Sequence, residues 1–310
     1  MLKKIVFMGT PMFAVPILKS LYQNGYSISV IYTQPPQKSK RGQKINKSPI
    51  QGVAETLNIG FRTPSLLKNN KDEYDYLKNL NADLAIIVAY GQIIPKEFLD
   101  LTKKGFLNIH ASLLPEWRGA APIQRSIMSR DKVTGISFMK IGEKLDTGPV
   151  CKKYEVEIDF NDNYETLSQK LSTLASQKIS ENIDDILEDK LKFIEQSHKD
   201  ATYAYKIKKS EGEIEWNDIA ENIIGKINGL FPNPGAWFKF KGERYKILKA
   251  EIGSGTGKIG EVLNDYLEVS CKDNKSVKIL ELQREGKRPQ KINEFILGSL
   301  IKRGSNLKDV

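Results

Sequence analysis

Apolar runs of strand length alternate with stretches of helical spacing through the first half of the chain. Residues 3–8 (KKIVFM), 27–33, 83–89 (DLAIIVA), 105–110 and 135–141 read as strands, several of them nearly continuous in apolar residues. Residues 11–24 carry apolar positions at helical spacing and stop at Asn24-Gly25, a good C-terminal signal. Residues 163–190 repeat Leu167, Leu171, Leu174, Ile179, Ile183, Ile186 and Leu187 at helical intervals. Strands alternating with helices predict an α/β fold with a doubly wound, mostly parallel sheet. Sites in such sheets lie at the carboxyl ends of the strands.

The pattern changes near residue 190. Residues 191–210 are lysine-rich and aperiodic, which predicts a linker between a domain at 1–190 and a second at 211–310. One helix is expected near 218–230. Short β-type runs follow at 236–240, 244–252, 258–263, 267–273 and 276–283, the signature of a smaller C-terminal β-barrel of OB-like type.

Composition narrows the class. The 310 residues are 40% hydrophobic and 28% charged, enough to build a core. No apolar run approaches the roughly 18 residues of a membrane span, and the N-terminus reads as a strand, so a cytoplasmic protein is expected. Two cysteines far apart and two histidines offer neither a disulfide framework nor a zinc cluster, and no metal is expected.

Charge adds a partner. The formal net charge is +10, and no Asp or Glu precedes Glu55. Lys38, Lys40, Arg41, Lys44 and Lys47 gather in a Pro-, Gly- and Ser-containing loop at 34–49. A solvated surface loop and a basic arm that meets phosphates both fit that composition. Polyanion binding suits the chain as a whole.

Candidate chemistry emerges by elimination. Only Gly9 of a G-x-G-x-x-G pattern follows the first strand, and neither a P-loop nor G-x-S-x-G occurs. What remains is polar. Asn108 and His110 are two apart on a strand, so their side chains point to one side, where two N–H groups can meet a developing oxyanion. Asp146, in a Gly/Pro-bounded turn after the 135–141 strand, is the best carboxylate partner and is expected at another carboxyl end. Loop capping by Asn108 and His110 and an ordinary turn at Asp146 remain the competing reading. The residues alone reach a possible acyl-type transfer site.

At these positions the chain resembles a family. NIHASLLPEWRGAAPIQ (108–124), LDTG (145–148) and VAYGQIIP (88–95) closely resemble the methionyl-tRNA formyltransferases, and the likeness runs from FMGTPMFAVP (7–16) into the second domain. Lys144 and Asn233 depart from the pattern, the first before Leu-Asp-Thr-Gly and the second within Pro-x-Pro-Gly. The resemblance implies transfer of the formyl group of 10-formyltetrahydrofolate to the α-amino group of methionine on initiator tRNA, for translation initiation. It places the catalytic trio on Asn108, His110 and Asp146. It places one wall of the folate site on Ser112, Leu113, Leu114 and Pro115, and the other on Ala89, Tyr90, Gly91, Gln92, Ile93 and Ile94. Lys38, Lys40, Arg41, Lys44 and Lys47 would enter the acceptor stem, with Arg41 foremost, while Lys206, Lys208 and Lys209 grip the backbone. The chain is expected to act as a monomer. Trp117, Arg118 and Gly119 are expected to shape the loop, and His198 to be solvated.

Two other readings share these residues. A formyltransferase for a nucleotide or sugar amine would keep the trio and the folate loop without needing a basic arm. A noncatalytic RNA-binding module on the same scaffold would not need the trio.

Overall fold

The computed structural model describes residues 3–38 and 45–308. The chain divides into two compact units. The first comprises residues 1–119, 134–156 and 168–203; the second comprises 120–133, 157–167 and 204–310.

The first unit is built on a seven-stranded sheet. Its strands in chain order are β1 (Lys4–Gly9), β2 (Ser27–Tyr32), β3 (Phe61–Arg62), β4 (Leu84–Val88), β5 (Phe106–His110), β6 (Val133–Lys140) and β7 (Val150–Glu157). Across the sheet they lie in the order β7–β6–β5–β4–β1–β2–β3. β1, β2, β3, β4 and β5 pair in parallel, and β6 runs antiparallel to β5. β1 and β4 are buried at consecutive residues because side chains on both faces are covered. Val6, Met8, Ala85, Ile87, Tyr90, Phe98 and Phe106 share one core cluster. The helix Val15–Gln23, begun by a 3-10 turn and stopped at Asn24, matches the expected 11–24 element. The long helix Tyr164–Leu187 buries Leu171, Ile179 and Ile183. Its Ser172 hydroxyl donates to the Phe13 carbonyl at 2.6 Å.

Two helices not expected from the sequence pattern complete this unit, Pro49–Thr56 and Lys71–Leu80. Each has a side-chain cap: Ser48 Oγ accepts from the Gln51 N–H, and Asn70 Oδ1 from the Glu73 N–H.

The direction of β6 corrects one expectation. Leu107 pairs with Lys140 and His110 with Ser137, so the end of β6 lies beside the beginning of β5. Asp146 therefore does not leave from a shared carboxyl end. It belongs to a 141–149 excursion between β6 and β7 that folds back along the sheet, closed at its base where the Lys140 N–H donates to the Pro149 carbonyl at 3.0 Å. Gly148 permits that closure. A Cβ there would run into the Lys140 carbonyl oxygen.

The second unit holds the helix Ala220–Leu230 and a five-stranded antiparallel sheet. Its strands are β8 (Ala236–Phe240), β9 (Glu243–Gly253), β10 (Glu268–Ser270), β11 (Ser276–Arg284) and β12 (Gln290–Lys291). Register shifts near Lys249 bend β9, and the sheet curls into an open half-barrel. Ile223, Ile227, Phe238, Ile247, Val277 and Leu282 fill its core. The expected 258–263 strand is reduced to two isolated bridges at Glu261 and Val262, next to Gly260 in a left-handed conformation.

Candidate active site

Two loops leave neighbouring strand ends in the first unit. The segment after β4 begins at Ala89 and the segment after β5 at Ala111, and the strands are in register at Ile87 and Asn108. The chain departs from β1 to one side into β2 and returns on the other as β4, so the switch point of the sheet lies between β1 and β4, and β5 is the next strand beyond β4. Thr10, following β1, donates its hydroxyl to the Tyr90 carbonyl at 2.8 Å. Gln34 Nε2 donates to the same oxygen at 3.2 Å.

Strand alternation puts Asn108 and His110 on one face, and the 141–149 excursion brings Asp146 to them. Asn108 Nδ2 lies 3.5 Å from Asp146 Oδ1. His110 Nδ1 lies 3.8 Å from Asp146 Oδ2. All three residues are buried. Both separations are at or beyond the limit of a hydrogen bond, so the donors keep capacity for a further partner. His110 Nε2 stands 2.9 Å from the Trp117 carbonyl. A carbonyl only accepts, so Nε2 carries a proton and Nδ1 is the atom presented to Asp146.

Asp146 is held in an uncommon backbone state, with φ of 50°. Its Oδ2 accepts the Gly119 N–H at 2.8 Å. Its carbonyl accepts from Gln196 Nε2 at 2.9 Å, and the Gly148 carbonyl accepts from the same nitrogen at 2.7 Å. Gln196 Oε1 in turn accepts from Arg118 Nη2 at 2.8 Å and Nε at 3.1 Å. Sequence reasoning missed Gln196. It lies in an aperiodic stretch, and only its meeting with residues 50 positions away marks it. His198 is exposed, as expected, yet its Nδ1 is 3.2 Å from Arg118 Nη1.

The segments expected to hold folate divide by exposure. Ser112 and Leu114 are buried, with Leu114 packed on Met139 and Val150. Ser112 Oγ donates to the Glu116 carbonyl at 2.6 Å, and the Ser112 carbonyl accepts from Ser137 Oγ at 2.7 Å, which stiffens the wall. Leu113 and Pro115 are half-buried. On the other side Tyr90 and Ile94 belong to the core cluster. Gln92 ties down the 64–67 segment through the Pro64 carbonyl and the Leu67 N–H. Ala89, Gly91 and Ile93 stay exposed, Ile93 at 83%. Ala89 and Gly91 both take positive φ.

Of the expected cations, Lys40, Arg41 and Lys44 lie outside the described residues. Lys38 contributes backbone to the short pairing of Gln37–Lys38 with Ile45–Asn46. Lys47 Nζ is 2.9 Å from Glu55 Oε1. In the second unit Lys206, Lys208 and Lys209 are exposed. Lys206 and Lys209 line a cavity of about 650 Å³ with Arg244, Lys246, Asn233 and one acid, Glu285. Burial, and then the neighbouring Arg244 charge, pushes the Lys246 ammonium below its usual value. The Arg244 guanidinium stacks 4.1 Å from the Trp237 ring centroid. Among the described residues no helix is long and apolar enough to cross a membrane.

Comparison with known proteins gives the family. A family model described as formyl transferase matches residues 3–183, and one described as the formyl transferase C-terminal domain matches residues 206–300. A methionyl-tRNA formyltransferase of Pelagibacter ubique (strain HTCC1062) is 68% identical over 310 residues, covering the whole of both chains. One of Jannaschia sp. (strain CCS1) is 42% identical over 305 residues, covering 98% of this chain and all of that one. Among solved structures, a sugar 3N-formyltransferase solved in the presence of dTDP and 5-N-formyl-THF superposes with a TM-score of 0.69 at 20% identity. That match covers 93% of this chain and all of the other, a likeness of fold. The chain belongs to the methionyl-tRNA formyltransferase family.

Proposed function

We propose that Asn108, His110 and Asp146 form the transfer site at which a formyl group passes from 10-formyltetrahydrofolate to the α-amino group of methionine on initiator tRNA. One observation carries this reading. The Asp146 carboxylate faces both Asn108 Nδ2 and His110 Nδ1 at 3.5 and 3.8 Å, at the end of β5, beside the β4 strand that borders the switch point.

The crevice suits a folate. Exposed Ile93 offers an apolar contact, and the exposed Ala89 and Gly91 offer backbone polar groups for a ring edge. Ser112, Leu113, Leu114 and Pro115 form a stiff opposite wall. The folate supplies the formyl carbon as the electrophile. Asn108 Nδ2 and a protonated His110 donate to the carbonyl oxygen as negative charge develops on it. Asp146, which balances the His110 charge, accepts the first proton, the one the substrate ammonium must lose before its amine can attack. The amine attacks, the bond from the formyl carbon to N10 breaks as the new amide bond remains, and the second proton lost by the attacking nitrogen ends on N10.

The lysine-rich 34–49 loop, with Lys206, Lys208 and Lys209, would hold the tRNA, and the basic cavity of the second unit fits an RNA phosphate. In this reading residues 1–190 are the catalytic domain, 191–210 the linker and 211–310 the tRNA-binding domain. The protein works as a monomer in the cytoplasm, where charged initiator tRNA is made.

The test is formyl transfer from 10-formyltetrahydrofolate to methionyl-tRNA, run beside nucleotide-linked amino sugars and free amines. Formylated methionyl-tRNA is expected. Formylation of the small amines with the tRNA untouched would assign the chain to another substrate, and no turnover on any acceptor would leave an RNA-binding protein.

A further inference from the structure

Arg118 is 1% exposed, yet its partners are neutral. Three of its hydrogen bonds go to Gln196 Oε1, at 3.1 and 2.8 Å, and to His198 Nδ1 at 3.2 Å. A guanidinium only donates, so Gln196 must turn its oxygen to Arg118 and His198 must accept at Nδ1. That fixes the amide. The Gln196 nitrogen is left facing the chain, where its two hydrogens meet the Asp146 carbonyl at 2.9 Å and the Gly148 carbonyl at 2.7 Å. Burying a charge without a counter-charge is costly unless its hydrogen bonds are met. Leu145, next to Asp146, is 65% exposed, so apolar packing does little to hold the excursion there.

The residues beside Arg118 bear on the same centre. Trp117 holds His110 Nε2 by its carbonyl, and Gly119 holds Asp146 Oδ2 by its N–H. Three consecutive residues thus fix the imidazole, the acid's backbone through Gln196, and the acid's carboxylate.

We propose that Arg118 and Gln196 are positioning residues that keep Asp146 in its left-handed backbone conformation, so that its carboxylate stays aimed at His110 and Asn108. The inference rests on the proposed role of Asp146. Arg118 orients the Gln196 amide, and Gln196 clamps the excursion by two carbonyls. Neither side chain touches the reacting atoms.

Gln196→Glu separates this role from simple support. A glutamate keeps an acceptor, and adds a counter-charge, for Arg118, but it has no N–H for the carbonyls of Asp146 and Gly148. A second variant, Gln196→Asn, keeps the amide one methylene short of the loop. Wild type, both variants, Asp146→Asn and each double mutant are compared by thermal unfolding and by kcat and KM for methionyl-tRNA and 10-formyltetrahydrofolate.

The expected result is a folded Gln196→Glu protein with kcat lowered about 10- to 100-fold, the scale of a misplaced catalytic group, and KM values near wild type. In the Asp146→Asn background neither change at Gln196 should lower kcat further, because both act through one carboxylate. Should Gln196→Glu prove unstable, Gln196→Asn gives the same kcat and double-mutant readings. A folded Gln196→Glu or Gln196→Asn enzyme with wild-type kcat overturns the inference, as do losses that multiply with that of Asp146→Asn. Failure of the underlying reading looks different: Asp146→Asn itself would then turn over normally.

Discussion

Gly119 donates its backbone N–H to Asp146 Oδ2 at 2.8 Å, while two residues earlier the Trp117 carbonyl stands 2.9 Å from His110 Nε2. One short segment therefore holds on to both members of the acid–imidazole pair, which stand 3.8 Å apart. Substitution at Asp146 then tests chemistry with little disturbance of shape.

Asp146→Asn keeps the side-chain outline but removes the proton acceptor. It is expected to lower kcat by about 10²–10⁴, the usual weight of a positioned acid or base, with tRNA binding unchanged. Single-turnover formylation and filter binding measure the two quantities. Wild-type kcat in this variant would remove Asp146 from the reaction.

Asn108→Ala removes a donor and leaves His110 and Asp146 in place. Loss of one oxyanion donor typically lowers the rate by about 10²–10³, so kcat should fall by that factor while KM for either substrate moves little. A rise in KM at constant kcat would instead make Asn108 a binding residue.

Gly148→Ala puts a methyl group against the Lys140 carbonyl oxygen at the base of the excursion. The backbone must move there, at a cost of about 1–3 kcal/mol by the usual scale of overpacking. A lowered unfolding midpoint together with reduced activity is expected, and an unaltered protein would show the base to be pliable.

The parts of the fold differ in how far the sequence carries them. β1, β4 and β5 are apolar enough to be read directly, and the two-residue spacing of Asn108 and His110 gives their common face. The helix Lys71–Leu80 fully buries only Glu73 and Leu77, and its core-facing stripe is Tyr74, Leu77 and Leu80 in an otherwise charged and polar stretch; that short stripe and the Asn70 cap were the available signals. The direction of β6 is a property of pairing, invisible along one strand. The bond between Gln196 and Asp146 joins an aperiodic stretch to a turn, and no local pattern relates them.

In the second unit, replacing Arg244 and Lys246 together by alanine should weaken tRNA binding. For each phosphate no longer neutralised, the slope of log affinity against log salt should fall by about 0.7–0.9. A titration of affinity against salt reads this directly. An unchanged slope would mean that the cavity faces no phosphate.

Glu268 gives a pH signature in stability. Burial pushes its carboxyl up, but the Ser276 hydroxyl, the Gly255 N–H and the Asn264 amide bring it below the ordinary glutamate value. A depressed folded value contributes stability that is present at neutral pH and lost as pH falls from the glutamate range, about 4.3, through the lower folded value. Glu268→Gln should therefore be destabilised at pH 7, and the gap to wild type should narrow on acidification. Denaturant melts at several pH values test it; a gap independent of pH would assign the loss to packing.

Because β6 runs against its neighbour, the acid travels to the imidazole on a span anchored at Lys140 and Pro149, whereas Asn108 and His110 are welded into the sheet. Chain length between those anchors is thus a tuning variable. Adding or removing a residue there would slide the carboxylate past an otherwise intact strand, altering reactivity while the scaffold stays whole.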